Sequence, residues 1–242
     1  MKILSFSART GKEILRDPIN LAFGLGFPVV LILLLSAIQK NVPVSLFEIE
    51  KLAPGMTVFG LSFMTLFAAT LVSRDRESAL LQRLYTTPMT AADFIFGYTL
   101  PLLPMALVQS AVCFLAALPL GLAPTRGILL ALLAGVPAAV FFISLGLLCG
   151  SVLSVKQVGG VCGALLTNLT AWLSGIWFDL KLVGGAFEKT AEALPFVHAV
   201  RIQQAACAGS LDCGADIAWV AAYAAAAAVL AVVLFLRQMR ES

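Results

Sequence analysis

The amino-acid sequence predicts an all-α integral membrane protein, and three observations carry that prediction. Hydrophobic residues make up 60% of the chain and charged residues only 12%, where soluble domains hold roughly 45–50% apolar residues. Mean hydropathy is +0.98. The apolar residues are gathered into charge-free runs, each long enough to cross about 30 Å of hydrocarbon at about 1.5 Å per helical residue.

Taken in order, the chain opens with Lys2, Arg9, Lys12 and Arg16 running up to the first apolar stretch, with no short hydrophobic region and cleavage site between them. The N-terminus therefore reads as retained, not as a signal peptide. Ile3, Leu4, Phe6, Ile14 and Leu15 interleave with those bases, the pattern of an amphipathic interfacial helix; an ordinary basic flank is the alternative. The apolar runs are Ile19 to Ile38, Leu52 to Ser73, Phe94 to Thr125, Gly127 to Val155, Gln157 to Phe178 and Ile217 to Leu236. They predict six transmembrane helices, placed at about 19–38, 54–73, 94–118, 127–153, 157–178 and 216–236, in one transmembrane domain covering 1–242. The third and fourth runs exceed the ~20 residues a span needs. They overshoot the bilayer or break, and Pro101, Pro104, Pro119 and Pro124 offer places to break.

With both termini on one side, that side holds Lys2, Arg9, Lys12, Arg16, Arg74, Arg76, Arg83, Lys156, Arg237 and Arg240, ten of the 16 basic residues. Lys40, Lys51, Arg126, Lys181, Lys189 and Arg201 fall opposite. The positive-inside rule then makes both termini and the loop after the second span cytoplasmic. The net charge of +3 is a topology signal, and nothing supports a nucleic-acid partner.

No Asp, Glu, His or Lys lies within the apolar runs, and Asp93 sits at a helix start. That disfavours a carrier driven by a proton or sodium gradient, although backbone carbonyls at broken helices can bind sodium. The phosphate-cradling pattern G-x-x-x-x-G-K-[ST] is also missing, so energy for any transport comes from a partner.

The segment "SRDRESALLQRLYTTPMTAADF", Ser73 to Phe94, gathers charge between two apolar runs. Ser73 to Tyr85 reads as a short helix, with Leu80, Leu81, Leu84 and Tyr85 on one stripe and Arg74, Arg76, Glu77 and Arg83 elsewhere. Thr87 and Pro88 stop it. Thr90 and Asp93 then form the T-x-x-D analogue of a capping box that opens the third span. Such a helix suits docking to a soluble protein; resting on anionic lipid is the competing reading.

The stretch "SRDRESALLQRLYTTPMTAADFIFGYTLPLLPMALVQ" resembles the coupling-helix region of ABC exporter permeases of the type 2 family. "LRDPINLAFGLGFPVVLILLL" is similar to that family's Arg-Asp-Pro lead into the first span, "LTAWLSGIWFDL" to its Leu-Ser-Gly segment ending the fifth, and "ALPFVHAVRIQQAACAG" to the outward segment that follows. Where the family has a proline after Leu-Ser-Gly, this chain has Trp177, Phe178 and Asp179. The resemblance spans essentially the whole chain. It implies a coupling helix at about 74–86, a re-entrant outward segment between spans five and six, and half of a twelve-span pathway. It also implies two separate ATP-binding subunits, which hold the ATP and magnesium, a second permease copy as homodimer or heterodimer, and a bacterial-type inner membrane. This chain then binds no cofactor and has no catalytic residue. By the same resemblance Arg74, Glu77, Leu81, Arg83, Leu84, Thr87 and Pro88 are ATPase-interface candidates; Leu81 and Leu84 alternatively face the permease's own helices.

Phe63 and Phe67 of the second span, Asn168 of the fifth and Phe196 of the outward segment are candidate pathway or gate residues. Asn168, between Thr167 and Thr170, could meet substrate or bond between helices. Gly159, Gly160 and Gly163 allow close helix approach, or a hinge. His198 has no second metal ligand beside it and reads as a polar loop residue. Cys113, Cys149 and Cys162 sit in spans as small apolar residues, while Cys207 and Cys213 lie outside, where a disulfide is possible. The sequence thus points to the permease subunit of an ATP-driven exporter. A non-transporting anchor for an ATPase or sensor, and a gradient-driven carrier, are the alternatives; the substrate is left open.

Overall fold

The computed structural model describes residues 2–43, 47–78, 90–210 and 212–241. The described residues are helical nearly throughout. Helix α1 (Lys2–Leu15) precedes α2 (Pro18–Asn41), whose first part contains a π turn at Ala22–Gly26. Next come α3 (Ile49–Glu77), α4 (Ala91–Ala117) and α5 (Arg126–Val152). Helix α6 occupies 155–173 and is π-helical over Gly159–Leu166. Three short helices follow, α7 (Leu180–Val183), α8 (Gly185–Ala193) and α9 (Pro195–Cys207), and α10 (Gly214–Glu241) ends the chain.

Five of these helices, α2, α3, α4, α5 and α10, are long and apolar enough to cross a membrane. The fifth predicted span, at about 157–178, differs. Its helix carries Lys156, Gln157, Asn168 and three glycines, which dilute its apolar character. It stops at Leu173, so 174–178 leave it as a turn in which Gly175 takes φ +73°. The prolines also act selectively. Helix α4 continues through Pro101 and Pro104 and gives way only to a 3₁₀ turn at Leu118–Leu120, with Gly121 left-handed beyond it. The fourth run bends at Gly135, just before Pro137.

Helix α3 is the axis of the molecule, buried along most of its length. Small residues of α5 bring it against α3: a Cβ on Gly146 would lie 2.6 Å from the Thr65 carbonyl oxygen, and one on Gly150 2.7 Å from that of Ala69. This Gly-x-x-x-Gly face lets two backbones touch, as at close helix crossings in membranes. The Thr65 hydroxyl donates to the Phe142 carbonyl at 2.8 Å across that contact. Helix α10 closes the other side, Phe235 stacking on Phe94 of α4 at 4.1 Å between ring centres.

The two ends of this bundle are distinct. At one end lie α1, the end of α3, the start of α4, the 151–155 turn and the Phe235 end of α10. At the other lie the start of α3, the start of α5, α9 and the first turn of α10. Helix α6 runs between them, from Val155 beside Glu77 to the Ile176 turn against Gly55.

Candidate functional site

The residues singled out for coupling begin with Arg74 and Glu77, and both lie in the last turn of α3. The helix does not break at Ser73: it continues through Glu77, with the Ser78 amide closing on the Arg74 carbonyl at 2.9 Å. A separate helix starting at 74 is thus replaced by an extension of the second span. Leu81, Arg83, Leu84, Thr87 and Pro88 lie outside the described residues. On the far side the expected cap is present. The Thr90 hydroxyl accepts from the Asp93 amide at 3.2 Å, and Asp93 accepts from the Thr90 amide at 2.8 Å.

Each of the last four charged residues of α3 is tied to a different part of the chain. Asp75, 4% exposed, accepts from both terminal nitrogens of Arg9 at 2.6 and 3.1 Å and from the Tyr98 hydroxyl at 2.7 Å. Arg74 donates to Asp17 at 3.3 Å. Arg76 donates to the carbonyls of Ser151 and Leu153. The Glu77 carboxylate accepts from the Val155 amide at 2.9 Å. The end of α3 is therefore a brace joining α1, the start of α2, α4 and the α5–α6 turn.

Sequence reasoning passed over Asp75 because the predicted second span ended at Ser73. Once the helix is extended, Asp75 falls three residues beyond buried Val72 and seven beyond buried Ala68, on the inward stripe. A carboxylate buried there needs a cation and hydrogen bonds. Arg9 and Tyr98 supply them, and Glu13 adds a second carboxylate to Arg9 at 2.6 Å. The Asp75 bond raises the hold of the Arg9 guanidinium on its proton, while partial burial opposes it. Phe6 and Tyr98 meet edge to face at 5.0 Å, and Gly97 makes room for Phe6, whose ring a Cβ would approach to 1.9 Å. Helix α1 is thus an amphipathic helix docked by its Phe6–Arg9–Thr10 face, with Leu4 and Leu15 exposed.

Beneath the brace a cavity of about 470 Å³ opens between α1, the start of α2 and α3. Its rim is charged by Arg9, Glu13, Arg16 and Arg74, and its floor is Phe67, Leu71 and Met105. Phe67 borders this cavity and supports Gly24, while Phe63 packs edge to face on Phe27 and Phe59. Both are buried against α2 in the single chain. Phe196 is also buried, set against Phe141 and Phe142 at the opposite end. Asn168 is exposed and donates to the Ala164 carbonyl of its own helix at 2.9 Å. Gly159 and Gly160 face open space, and Gly163 meets only Leu66, so close helix approach within this chain explains none but the last.

The opposite end holds a second polar group. His198 is helical, not in a loop, and its ring contacts Asp216 and the Glu192 carbonyl. Arg201 forks onto the Glu192 carboxylate, which lies below the ordinary carboxylate range because of that bond. Cys207 and Cys213, the pair for which a disulfide was possible, are free thiols packed in different apolar clusters, and burial pushes both thiols up. Among the described residues no three His, Cys, Asp or Glu side chains gather to hold a metal.

Long apolar helices around a buried axis, with charge confined to the ends, define a multi-pass membrane protein. The sequence model of the ABC-2 type transporter family matches residues 1–206, and the chain belongs to that family. It is a transport permease component, and membership of the family implies association with ATP-binding subunits and the membrane. Comparison with curated proteins finds no match.

Proposed function

We propose that this permease is half of an ATP-driven exporter, two copies forming the substrate path and each receiving force from a separate ATPase at the segment after α3. The observation that supports this most is the brace. The residues that resemble the family's coupling element continue directly from a helix end anchored to four other parts of the chain. Movement applied beyond Glu77 therefore reaches α1, α4 and α5 together instead of bending one loop. In this reading Arg74, Glu77, Leu81, Arg83, Leu84, Thr87 and Pro88 face the ATPase, and α1 lies in the headgroup layer of the inner membrane with both termini cytoplasmic.

Helix α6 is the fifth of six spans, the one added to the five long apolar helices. At 19 residues it covers about 28 Å, and it joins the two ends of the bundle. Exposed Asn168 and Leu165 lie on its open face, where a second copy shields the amide from hydrocarbon. Helices α7–α9 form the re-entrant outward element, with Phe196 at its base.

Coexpression with a cognate ATPase subunit tests the reading. The isolated chain should neither bind nor hydrolyse ATP, and the complex should copurify. Glu77→Ala and Leu84→Ala should give inserted protein with weak ATPase binding or no substrate-stimulated turnover, a docking loss on the order of 2 kcal/mol at a hot spot. Wild-type complex yield and transport in both variants would favour the anchor or carrier readings.

A further inference from the structure

We propose that the cavity beneath the brace is a binding site for an anionic phospholipid, its phosphate on Arg16 and Arg74 and the upper part of an acyl chain on Phe67, Leu71 and Met105. The proposal rests on the membrane placement of α1 and α2 given above, and not on transport or ATPase docking.

The bonding capacity left over at the rim is cationic. Each carboxylate there is already engaged. Glu13 is held by Arg9, Asp75 by Arg9 and Tyr98, and Asp17 by Arg74 together with the backbone amide and side chain of Asn20. Arg16 lines the cavity with no side-chain hydrogen bond or ion pair to a described residue, and Arg74 gives a single N–H, to Asp17 at 3.3 Å. Guanidinium groups with N–H donors to spare suit a phosphate, which one fork can take on two N–H groups at once.

The cavity changes character with depth. Below the rim the Thr70 hydroxyl turns back to the Leu66 carbonyl at 2.7 Å, and the floor is apolar. At about 470 Å³ the space falls within the roughly 300–1,000 Å³ of small-molecule sites. A free phosphate would satisfy the rim and leave that floor unfilled, whereas a lipid fills both. The ground outside the mouth is apolar as well: Leu15, Ile19 and Phe23 are 74%, 70% and 58% exposed. At the junction of an amphipathic helix with a span such residues lie among acyl chains, so the rest of the lipid stays in hydrocarbon while its headgroup meets the arginines. Basic pockets beside spans on the cytoplasmic side hold anionic headgroups by this division of labour. The bound lipid links the α1–α2 junction, through Arg16, to the end of α3, through Arg74.

Photocrosslinking tests the site. The full chain, without an ATPase, is placed in phosphatidylcholine vesicles containing a trace of phosphatidylglycerol with a diazirine on its acyl chain, and the crosslinked peptides are mapped. Crosslinks should fall on peptides holding Phe67, Leu71 and Met105. Unlabelled phosphatidylglycerol should displace them and inorganic phosphate should not, and photoreactive phosphatidylcholine should label the same peptides more weakly. Arg16→Gln and Arg74→Gln should each lower the phosphatidylglycerol yield about fivefold, the worth of one basic residue beside an anionic headgroup. Arg16→Gln removes no contact with a described side chain, so the fold survives it. Lys12, exposed on α1 and outside the cavity lining, is the control, and Lys12→Gln should leave the yield unchanged. Equal labelling by the two lipids, no label on the floor peptides, or full yield in both arginine variants overturns the site. An equal loss in Lys12→Gln reduces it to diffuse attraction by a basic surface, and displacement by inorganic phosphate overturns the lipid as occupant. None of these failures touches ATPase copurification or substrate-stimulated turnover, which test the exporter reading separately.

Discussion

Asp75 shows how one side chain changes the reading of the whole second span. Only 4% of it is exposed, so removing its cation is costlier than removing both charges together. Breaking a buried pair by deleting one partner costs about 3–5 kcal/mol, whereas replacing the whole pair can be nearly neutral. Arg9→Ala strands the carboxylate with Tyr98 alone, and thermal unfolding of the full chain should show a loss toward that range. Asp75→Asn should cost less, because Arg9 keeps Glu13 and is one-third exposed. The double variant should recover much of the Arg9→Ala loss; strict additivity would show that the pair is not coupled. The Glu192–Arg201 pair is a contrasting case. Both side chains are around 40% exposed, and such pairs are worth about 1 kcal/mol or less. The folded state depresses Glu192, so that small stabilisation is complete at neutral pH. It is lost only as pH falls below the ordinary carboxylate range. Glu192→Gln should therefore shift the thermal midpoint slightly at neutral pH and not at all in strong acid.

At the scale of elements, what the sequence made legible depended on how local the deciding signal was. The Thr90–Asp93 cap was readable because its four residues contain the whole interaction. The end of α3 was not, since hydropathy falls at Arg74 while the helix is held to Glu77 by residues up to 78 positions away. Helix α6 read as an ordinary span because its apolar residues count the same wherever its glycines and Asn168 point. Proline gave no reliable break: α4 absorbs Pro101 and Pro104, and the chain turns where Pro119 and Gly121 act together. The α3–α5 crossing depends on a spacing of four between Gly146 and Gly150 that is visible in sequence but is not specific until its partner is known. Gly146→Leu would drive a side chain into the Thr65 backbone. Overpacking costs about 1–3 kcal/mol where neighbours can shift, and backbone cannot shift readily, so the loss should reach or exceed that range. Gly160→Leu, at a site with nothing within 4 Å, should leave the monomer's thermal midpoint unchanged.

For the molecule as a whole, the arrangement of ends constrains topology more tightly than charge counting does. Phe235 near the C-terminus stacks on Phe94, Phe94 lies edge to face with Tyr98 at 5.4 Å, and Tyr98 bonds Asp75, which holds Arg9 near the N-terminus. The two termini therefore share one end of the bundle. Five crossings would part them, and in the proposed six-span reading α6, which runs the full way between the two ends, is the further crossing. The basic residues Arg9, Arg16, Arg74 and Arg76 sit at the shared end and Lys51, Lys181 and Arg201 at the other, and the positive-inside rule supports the proposed topology, in which the shared end is cytoplasmic. Single cysteines at Ser78 and Thr190, both exposed, in a background without the five native cysteines, separate the possibilities in intact cells. An impermeant maleimide should label position 190 and spare position 78, and permeabilisation should expose position 78. Labelling of 78 alone would invert the molecule in the membrane; labelling of both would place α6 on the surface instead of across it and would overturn the six-span reading.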